Sequence, residues 1–256
     1  LCRDITPYLT EAHNTIVIRV GNGWYHQNVR TCEGNMVYGV PKIKAVAVQK
    51  ETVIFRSDRD TKAYQGPIVY NQMYIGEIYD ANVLREPAVP LHMEAYDNYD
   101  SVPRLQKIPC DKVIKEHSLF PVSPKLIYED KTRNLKTYDA GVNMTGRISI
   151  VTSTAKGNQV HICYAESVDA EGQLTYSTTA GVDRLQEDVY LSDGTSGQKY
   201  GAEFVLHGFR YFTIEGEIDT FHCDLILPDL KERKHFTTNN KLLEEIVNLY
   251  KRAQLT

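Results

Sequence analysis

The sequence is poor in several features that would place it in a particular class of protein. It has 1 Trp and 7 Phe in 256 residues, and its 5 cysteines are an odd number with no C-x-x-C pair among them. This usage predicts free thiols in a reducing compartment rather than a zinc site or a disulfide framework. No apolar run approaches the ~20 residues that cross a bilayer. The first residues lack a signal-peptide pattern, although the chain does not begin with Met.

Charge and size narrow the classes further. The formal net charge is −4, and charged residues make up 24% of the chain. There is no basic stretch of the kind that neutralises phosphates, so we expect neither nucleic acid nor a membrane as a partner. A chain of this length is predicted to form one large or two ordinary domains, with a core that needs no metal or disulfide.

Strand patterns occupy the second half of the chain. The runs 145–151, 160–167, 188–191 and 203–214 are rich in Val, Ile, Tyr and Phe, and several alternate apolar with polar residues. Gly, Asn and Asp separate them. This pattern is typical of strands in an antiparallel sandwich. His207 lies inside such an apolar run, so we expect a hydrogen-bonded core histidine there.

Further elements are predicted on either side. Residues 15–20 form a strand that enters a tight turn at 21–25, and 42–48 and 52–55 form two strands joined by a short turn. Six of the ten prolines lie between 85 and 124, which predicts a linker and a domain boundary. From 239 to 253 the apolar period becomes helical, with Asn239 or Asn240 as the cap.

Four short phrases follow one another along the chain. They are Gly21-Asn22-Gly23-Trp24-Tyr25, Gly76-Glu77-Ile78-Tyr79-Asp80-Ala81, Tyr138-Asp139-Ala140-Gly141 and Leu206-His207-Gly208-Phe209-Arg210. In this order they resemble the bacterial α-L-rhamnosidases of glycoside hydrolase family 78, and the resemblance runs from about Asp4 to Leu255. The chain departs from that family at Ala140, where an aromatic is usual, and at Arg147, which lies near a usual Trp.

The resemblance implies an all-β fold of two β-sandwich domains, of the jelly-roll or concanavalin-like kind, with a C-terminal helix. Residues 1–90 are expected to form a carbohydrate-binding-like sandwich that lacks some of the family's strands. Residues 91–228 are expected to form the concanavalin-like sandwich. Residues 229–256 are expected to be a linker and the start of a helix leading to an (α/α)6 catalytic barrel, before which the chain stops.

The implied activity of the parent enzyme is inverting hydrolysis of terminal α-L-rhamnosides. No catalytic residue is assigned here, because the family's acid and base lie on barrel loops, and the chain alone is expected to be inactive. A carboxylate pair at Glu77 and Asp80, or at Glu215, Glu217 and Asp219, could act as acid and base, but we interpret both groups as structural. Structural roles are assigned to the residues of the family phrases: Glu77, Tyr79, Asp80, Asp139, Gly141, Gly208 and Arg210.

Carbohydrate contact is predicted at Trp24 and Tyr25, because the apolar face of a pyranose stacks on an aromatic ring, with Asn22 as a hydroxyl partner. The alternative is that Trp24 packs inside the sandwich.

No cofactor is predicted; calcium stays open, and its ligands are not assignable. The expected partners are a rhamnose-containing saccharide, the chain's own barrel and, through an open sheet edge, a second copy. A free-standing carbohydrate-binding module and a purely structural scaffold are the alternative functions. A bacterial cytoplasmic location is expected.

Overall fold

The fold is built almost entirely from β-strands, as a computed structural model shows for residues 4–11, 13–23, 25–31, 34–37, 39, 41–58, 60–84, 91–92, 111–114, 117–176, 185–228, 230 and 235–255. The strands are β1 (His26–Thr31), β2 (Gly34–Val37), β3 (Val46–Gln49), β4 (Thr52–Arg56), β5 (Ile68–Gln72), β6 (Gly76–Asp80), β7 (Asp111–Ile114), β8 (Lys125–Asp130), β9 (Leu135–Thr152), β10 (Gln159–Ala165), β11 (Ser167–Val168), β12 (Leu174–Thr175), β13 (Gln186–Leu191), β14 (Gln198–Tyr200), β15 (His207–Glu215) and β16 (Thr220–Pro228). Short 3-10 turns span Thr6–Tyr8 and Ala81–Leu84, and one helix, α1, spans Lys241–Leu255. The predicted all-β class with a C-terminal helix is confirmed.

Ten strands join in one curled sheet. Its main path runs β5-β6-β13-β10-β15-β9-β16-β7, and both β8 and β14 pair with β9. The predicted runs 145–151 and 188–191 fall within β9 and β13, whereas 160–167 and 203–214 only overlap β10 and β15, since 203–206 form the loop before β15. Their alternation places every second side chain in the core, whose largest members include Tyr164, Tyr190, Phe209, Phe212 and Ile148.

Strand β9 organises this sheet because it is 18 residues long and pairs with four other strands. Its first half pairs with β8 and β15, and its second half pairs with β16 and β14. Gly146 lies where β16 comes close, and a Cβ there would collide with the carbonyl oxygen of Asp224. Glycine at this position therefore allows two strands to approach closely.

The predicted strand at 15–20 is wrong. These residues carry no ladder hydrogen bonds within the described part of the chain, and Ile16, Val17 and Val20 are exposed. Strand propensity alone does not hold a strand without a neighbour to pair with. Gly23 does form a turn, with φ +50°, but the hairpin comes after it, between β1 and β2.

The predicted pair of strands at 42–48 and 52–55 is confirmed as β3 and β4, with β3 beginning later, at Val46. The turn between them uses Lys50 and Glu51 at φ 45° and 73°. Two successive residues with positive φ match the right-handed twist of a two-residue hairpin, even though neither residue is Gly or Asn.

Strands β5 and β6 belong to the same sheet as the second half of the chain, because β6 pairs in parallel with β13. The proline-rich stretch contributes β7, which pairs with the end of β16. The predicted boundary at residue 90 lies outside the described residues, so the division into 1–90, 91–228 and 229–256 stays a prediction.

The predicted C-terminal helix is confirmed as α1. The side chain of Asn240 caps it by accepting hydrogen bonds from the backbone N–H groups of Leu242 (3.1 Å) and Leu243 (3.4 Å). Its apolar residues Leu242, Leu249 and Tyr250 are exposed. Within the described ranges, no helix is long and apolar enough to cross a membrane.

Candidate functional site

A network of buried polar side chains lies in the centre of the sheet, around Asp188 of β13. The Tyr164 hydroxyl donates to Asp188 Oδ2 (2.7 Å), and His207 Nε2 lies 3.1 Å from both carboxylate oxygens. The backbone N–H of Glu77 donates to Oδ1 (3.1 Å). Asp188 is fully buried, and these donors compensate its desolvation. The prediction of a hydrogen-bonded core histidine at His207 is confirmed.

Glu77 is the second buried carboxyl of this network. It is 1% exposed, and its carboxyl oxygens accept hydrogen bonds from the backbone N–H groups of Glu203 (3.1 and 3.2 Å) and Phe204 (3.0 Å). Burial raises the pKa of Glu77 to about 7, against the lowering effect of these N–H groups, and the nearby Asp188 raises it further. Glu77 therefore fixes the loop at 203–204, more than 120 residues further along the chain.

A carboxyl with a pKa near 7 beside a second carboxylate can serve as a general acid when substrate reaches it. Neither Glu77 nor Asp188 is accessible, at 1% and 0% exposure, so no glycosidic oxygen can approach their oxygens in this structure. This geometry supports the structural interpretation of Glu77. Tyr79, on the same strand, stacks on Tyr190 with ring centroids 5.9 Å apart.

The loop that Glu77 holds is where the N-terminal segment contacts the sheet. Arg19 forms an ion pair with Glu203, and Gly21 packs so closely on Phe204 that a Cβ would lie 2.6 Å from its ring. Next to this contact, Asn22 donates two hydrogen bonds to Asn71, one from its backbone N–H to Oδ1 (2.8 Å) and one from its side-chain amide to the backbone oxygen (2.9 Å). The turn phrase is thereby attached to the sheet.

These contacts bear on the predicted carbohydrate residues. The side-chain amide of Asn22 donates to the Asn71 backbone oxygen, so this group is occupied within the protein. Tyr25 is 43% exposed, and Trp24 lies outside the described residues. The carbohydrate-binding prediction for Trp24, Tyr25 and Asn22 therefore stays a prediction.

The third family phrase is joined to the fourth by an ion pair across β9 and β15. Arg210 Nε and Nη2 each lie 2.9 Å from an oxygen of Asp139, and the Gly141 N–H donates to Asp139 Oδ1 (2.7 Å). The hydrogen bond from Arg210 lowers the pKa of Asp139. Gly141 has φ +83°, which favours glycine, and the bulge between Phe209 and Tyr211 turns Arg210 toward its partner. Sequence order alone did not reveal this pairing.

The two departures from the family pattern are also placed. Ala140 is fully buried in the core. The Arg147 guanidinium lies 3.4 Å from Asp224 Oδ2 and hydrogen-bonds the Ala202 backbone oxygen. Asp224, whose side chain is only 6% exposed, therefore supplies the opposite charge that a partly buried arginine needs at this position.

The remaining candidate carboxylates have partners of their own or face solvent. Asp80 accepts from the backbone and side chain of Asn82, both at 2.9 Å. Glu215 pairs with Arg133 at 2.8 Å, and Asp219 accepts from Ser153 at 2.7 Å. Glu217 is exposed in the turn between β15 and β16. None of these contacts resembles an acid and a base facing each other across a cleft.

A cleft of about 430 Å³ lies between α1 and the sheet. Gly208, from the family phrase, contributes to its wall. Asn143 donates to Glu166 there (3.3 Å), and the Arg252 guanidinium lies 5.5 Å from the centre of the Phe120 ring. The end of the helix is seated on the sheet by this contact and by Leu255, which packs against the core, while Leu242, Ile246 and Tyr250 are exposed.

A cluster of metal-ligand types lies elsewhere on the sheet. His161 Nε2 is 2.5 Å from Glu187 Oε2 and 3.4 Å from Cys163 Sγ. Hydrogen bonds to Cys163 and Glu187 raise the pKa of His161 to about 10. The sequence carried only the weak signal His-x-Cys, and the third member comes from another strand. Cys163 and Cys223 are free thiols, as predicted; the other three cysteines lie outside the described residues.

Comparison with known families identifies both halves of the chain. Residues 2–98 match the α-L-rhamnosidase N-terminal domain, and residues 131–231 match the bacterial α-L-rhamnosidase concanavalin-like domain. An α-L-rhamnosidase of Formosa agariphila is 25% identical over 97% of this chain and 28% of its own length. One from Streptomyces avermitilis is 27% identical over 83% of this chain and 21% of its own length. The chain thus spans about a quarter of the length of these relatives.

Solved structures share the fold. The Streptomyces avermitilis α-L-rhamnosidase complexed with L-rhamnose has a TM-score of 0.65 at 22% identity, over 91% of this chain and 24% of that one. The enzyme from Dictyoglumus thermophilum has a TM-score of 0.61 at 24% identity, over 81% of this chain and 24% of that one. The chain therefore belongs to the bacterial α-L-rhamnosidase family, and it matches that family's N-terminal domain and its concanavalin-like domain.

Proposed function

We propose that the chain is the non-catalytic β-sandwich portion of an α-L-rhamnosidase, and that the complete enzyme hydrolyses terminal α-L-rhamnosides with inversion. The observation that carries the proposal is the match of both domains to relatives named α-L-rhamnosidase. In this proposal the sandwiches brace a separate catalytic barrel, and the rhamnoside is bound and cleaved there.

The described carboxylates support a non-catalytic role. Inverting hydrolysis needs an acid and a base about 6.5–9.5 Å apart on either side of the anomeric carbon, in a pocket that admits the sugar. Glu77 is sealed in the core, while Asp80 and Glu215 are engaged by neighbouring groups. The exposed Leu242, Leu249 and Tyr250 of α1 suit a surface that a further domain covers.

The experiment compares this 256-residue chain with a longer protein that includes the proposed catalytic barrel. Release of nitrophenol from p-nitrophenyl α-L-rhamnoside is expected from the extended protein only. Turnover by the short chain that is lost in Glu77→Gln or Glu215→Gln would contradict the proposal and make the sandwich itself the enzyme. Glu217→Gln, in the exposed turn between β15 and β16, is the matched control.

A carbohydrate-binding role is the second candidate, favoured by the exposure of Tyr25 next to the single Trp of the chain. Rhamnose is then expected to bind with millimolar affinity at most and to change the fluorescence of Trp24. Stacking of a base on an aromatic ring contributes about 1–3 kcal/mol, a sugar face should contribute less, and 1 mM already corresponds to about −4 kcal/mol. Trp24→Ala is expected to abolish binding while the chain stays folded. A Trp24→Ala chain that fails to fold would instead support packing of Trp24 in the core.

The location follows as part of the proposal. We propose a bacterial cytoplasmic protein, supported by the two free thiols at Cys163 and Cys223.

Calcium binding is also untested, and calcium takes oxygen ligands only. The His161, Cys163 and Glu187 cluster offers nitrogen and sulfur as well, so it does not suit calcium, whose binding elsewhere in the chain stays an open prediction.

A further inference from the structure

We propose that His161, Cys163 and Glu187 form a binding site for a thiophilic divalent cation, with Zn²⁺ as the best match. The site is independent of the proposed rhamnosidase function. The sequence does not announce it, because no C-x-x-C pair is present. Among the described residues, these three bring one nitrogen, one sulfur and one carboxylate oxygen within 4.8 Å of one another.

The sheet itself positions the three side chains. His161 and Cys163 are two residues apart on β10, so they project from the same face. Glu187 is the direct partner of Cys163 across the β10–β13 ladder. The opposite face of β10 carries Ile162 and Tyr164 into the core. Each ligand is thus held by a central strand of the ten-stranded sheet, which is a more rigid support than a loop.

The distances suit a tetrahedral zinc ion after a small movement. Zn–S and Zn–N bonds of about 2.3 and 2.0–2.1 Å place sulfur and nitrogen about 3.5 Å apart in a tetrahedron, and Cys163 Sγ lies 3.4 Å from His161 Nε2. Glu187 Oε2, at 2.5 Å from the same nitrogen, would have to retreat by about 1 Å. Its side chain is 32% exposed and has room to do so.

A single ring nitrogen faces both other ligand atoms. His161 Nε2 carries either one proton or one lone pair, so it can form one good hydrogen bond, yet sulfur and carboxylate both approach it. A cation at the point of convergence would satisfy all three groups. Imidazole, thiolate and carboxylate together select zinc and similar transition metals over calcium or magnesium.

Neighbouring groups define the limits of the site. Glu215 is the partner of His161 on the other side of β10, but its carboxylate is held by Arg133 at 2.8 Å. Tyr176 hydrogen-bonds Cys163, which would orient a metal-bound thiolate from outside the ligand sphere. His161 and Glu187 are 25% and 32% exposed at their side chains, so water is the expected fourth ligand.

The test uses the chain freed of metal by a chelator and then titrated with Zn²⁺, with calorimetry in a competing chelator as the readout. One Zn²⁺ per chain is expected. Affinity is expected to fall at least about tenfold in each of His161→Gln, Cys163→Ser and Glu187→Gln, the scale on which even groups outside the ligand sphere act. Cys223→Ser and His222→Gln are the matched controls, and they are expected to bind as the wild type does.

A second measurement identifies the sulfur ligand. Co²⁺ in place of Zn²⁺ is expected to give visible d–d absorption and a near-ultraviolet thiolate charge-transfer band, which Cys163→Ser abolishes and Cys223→Ser keeps. Thermal unfolding in chelator checks that each variant is folded. If the Cys163 or His161 variant does not fold, Glu187→Gln tests the site instead, because it alters the most exposed ligand. Absence of the band in the wild type, its persistence in Cys163→Ser, or unchanged Zn²⁺ affinity in Glu187→Gln would overturn the proposal.

Discussion

Replacing Glu77 by glutamine removes a buried ionisable group while keeping its shape. The carbonyl oxygen of the new amide can take the place of Oε2 and accept from the backbone N–H groups of Glu203 and Phe204, which lie 3.1 and 3.0 Å away. The Glu77→Gln change therefore isolates the cost of burying the negative charge beside Asp188. We expect the free energy of unfolding of the variant, minus that of the wild type, to increase between pH 4.5 and pH 8.

The magnitude follows from the pKa of Glu77, which rises from 4.5 to about 7 on folding. Each pKa unit corresponds to about 1.4 kcal/mol, so the proton is bound about 3 kcal/mol more tightly in the folded state. Because the folded pKa is the higher one, this stabilisation is complete below pH 4.5 and is lost as the pH rises through 7. The free energy of unfolding of the wild type should fall by about 3 kcal/mol across that window, relative to Glu77→Gln.

The assay is urea unfolding of both proteins at closely spaced pH values from 4.5 to 8. The quantity of interest is the change with pH of the difference between the two free energies of unfolding, which cancels any loss of hydrogen bonding common to all pH values. Glu217→Gln, an exposed carboxylate, is expected to leave the pH dependence as in the wild type. The reasoning would be refuted if the free energy of unfolding of Glu77→Gln changed with pH in parallel with that of the wild type. It would also be refuted if the variant lost stability relative to the wild type toward pH 8.

Two further perturbations test other parts of the sheet. Arg210→Lys gives up the two-point contact with Asp139 and should lower the free energy of unfolding by about 0.5–1 kcal/mol, since the pair is partly exposed; it should also weaken the loss of stability below pH 3.8, the ordinary pKa of Asp139, which the arginine lowers. Separately, the chain is expected to self-associate through an open strand edge of its first domain. A clean monomer by light scattering at high concentration, unchanged by deletion of residues 1–66, which leaves β5 and β6 in the main sheet, would count against this.

Local pattern predicted the elements whose burial alternates. The runs in β9, β10, β13 and β15 have period-2 apolar positions, and the helix has its own period and cap, so each was visible in the sequence. Residues 15–20 have the same composition but no ladder partner among the described residues. The hairpin of β1 and β2 was missed because its residues, with Asn, Gln and Arg at the centre, resemble a loop in composition.

The candidate sites depend on contacts between distant residues, which a single sequence does not display. Asp139 and Arg210 were marked by their family phrases, yet their ion pair became apparent only from the β9–β15 register. Glu77 was recognised without its partners at 203–204, since the two are joined only through the fold. The association of Glu187 with His161 and Cys163 likewise arises from the β10–β13 ladder and has no signature in spacing.

The length of β9 has a consequence for how the protein folds. One continuous strand supplies hydrogen-bonding edges to β8, β14, β15 and β16, and some of its partners lie more than 70 residues away, as in the pairing of Phe221 with Ile150. The ladders of these four strands with β9 cannot form before β9 is ordered, so completing the sheet requires the closure of long loops, which costs chain entropy. The backbone amides of β9 should exchange with deuterium only when the whole sheet opens, and they should be the slowest to exchange in the molecule.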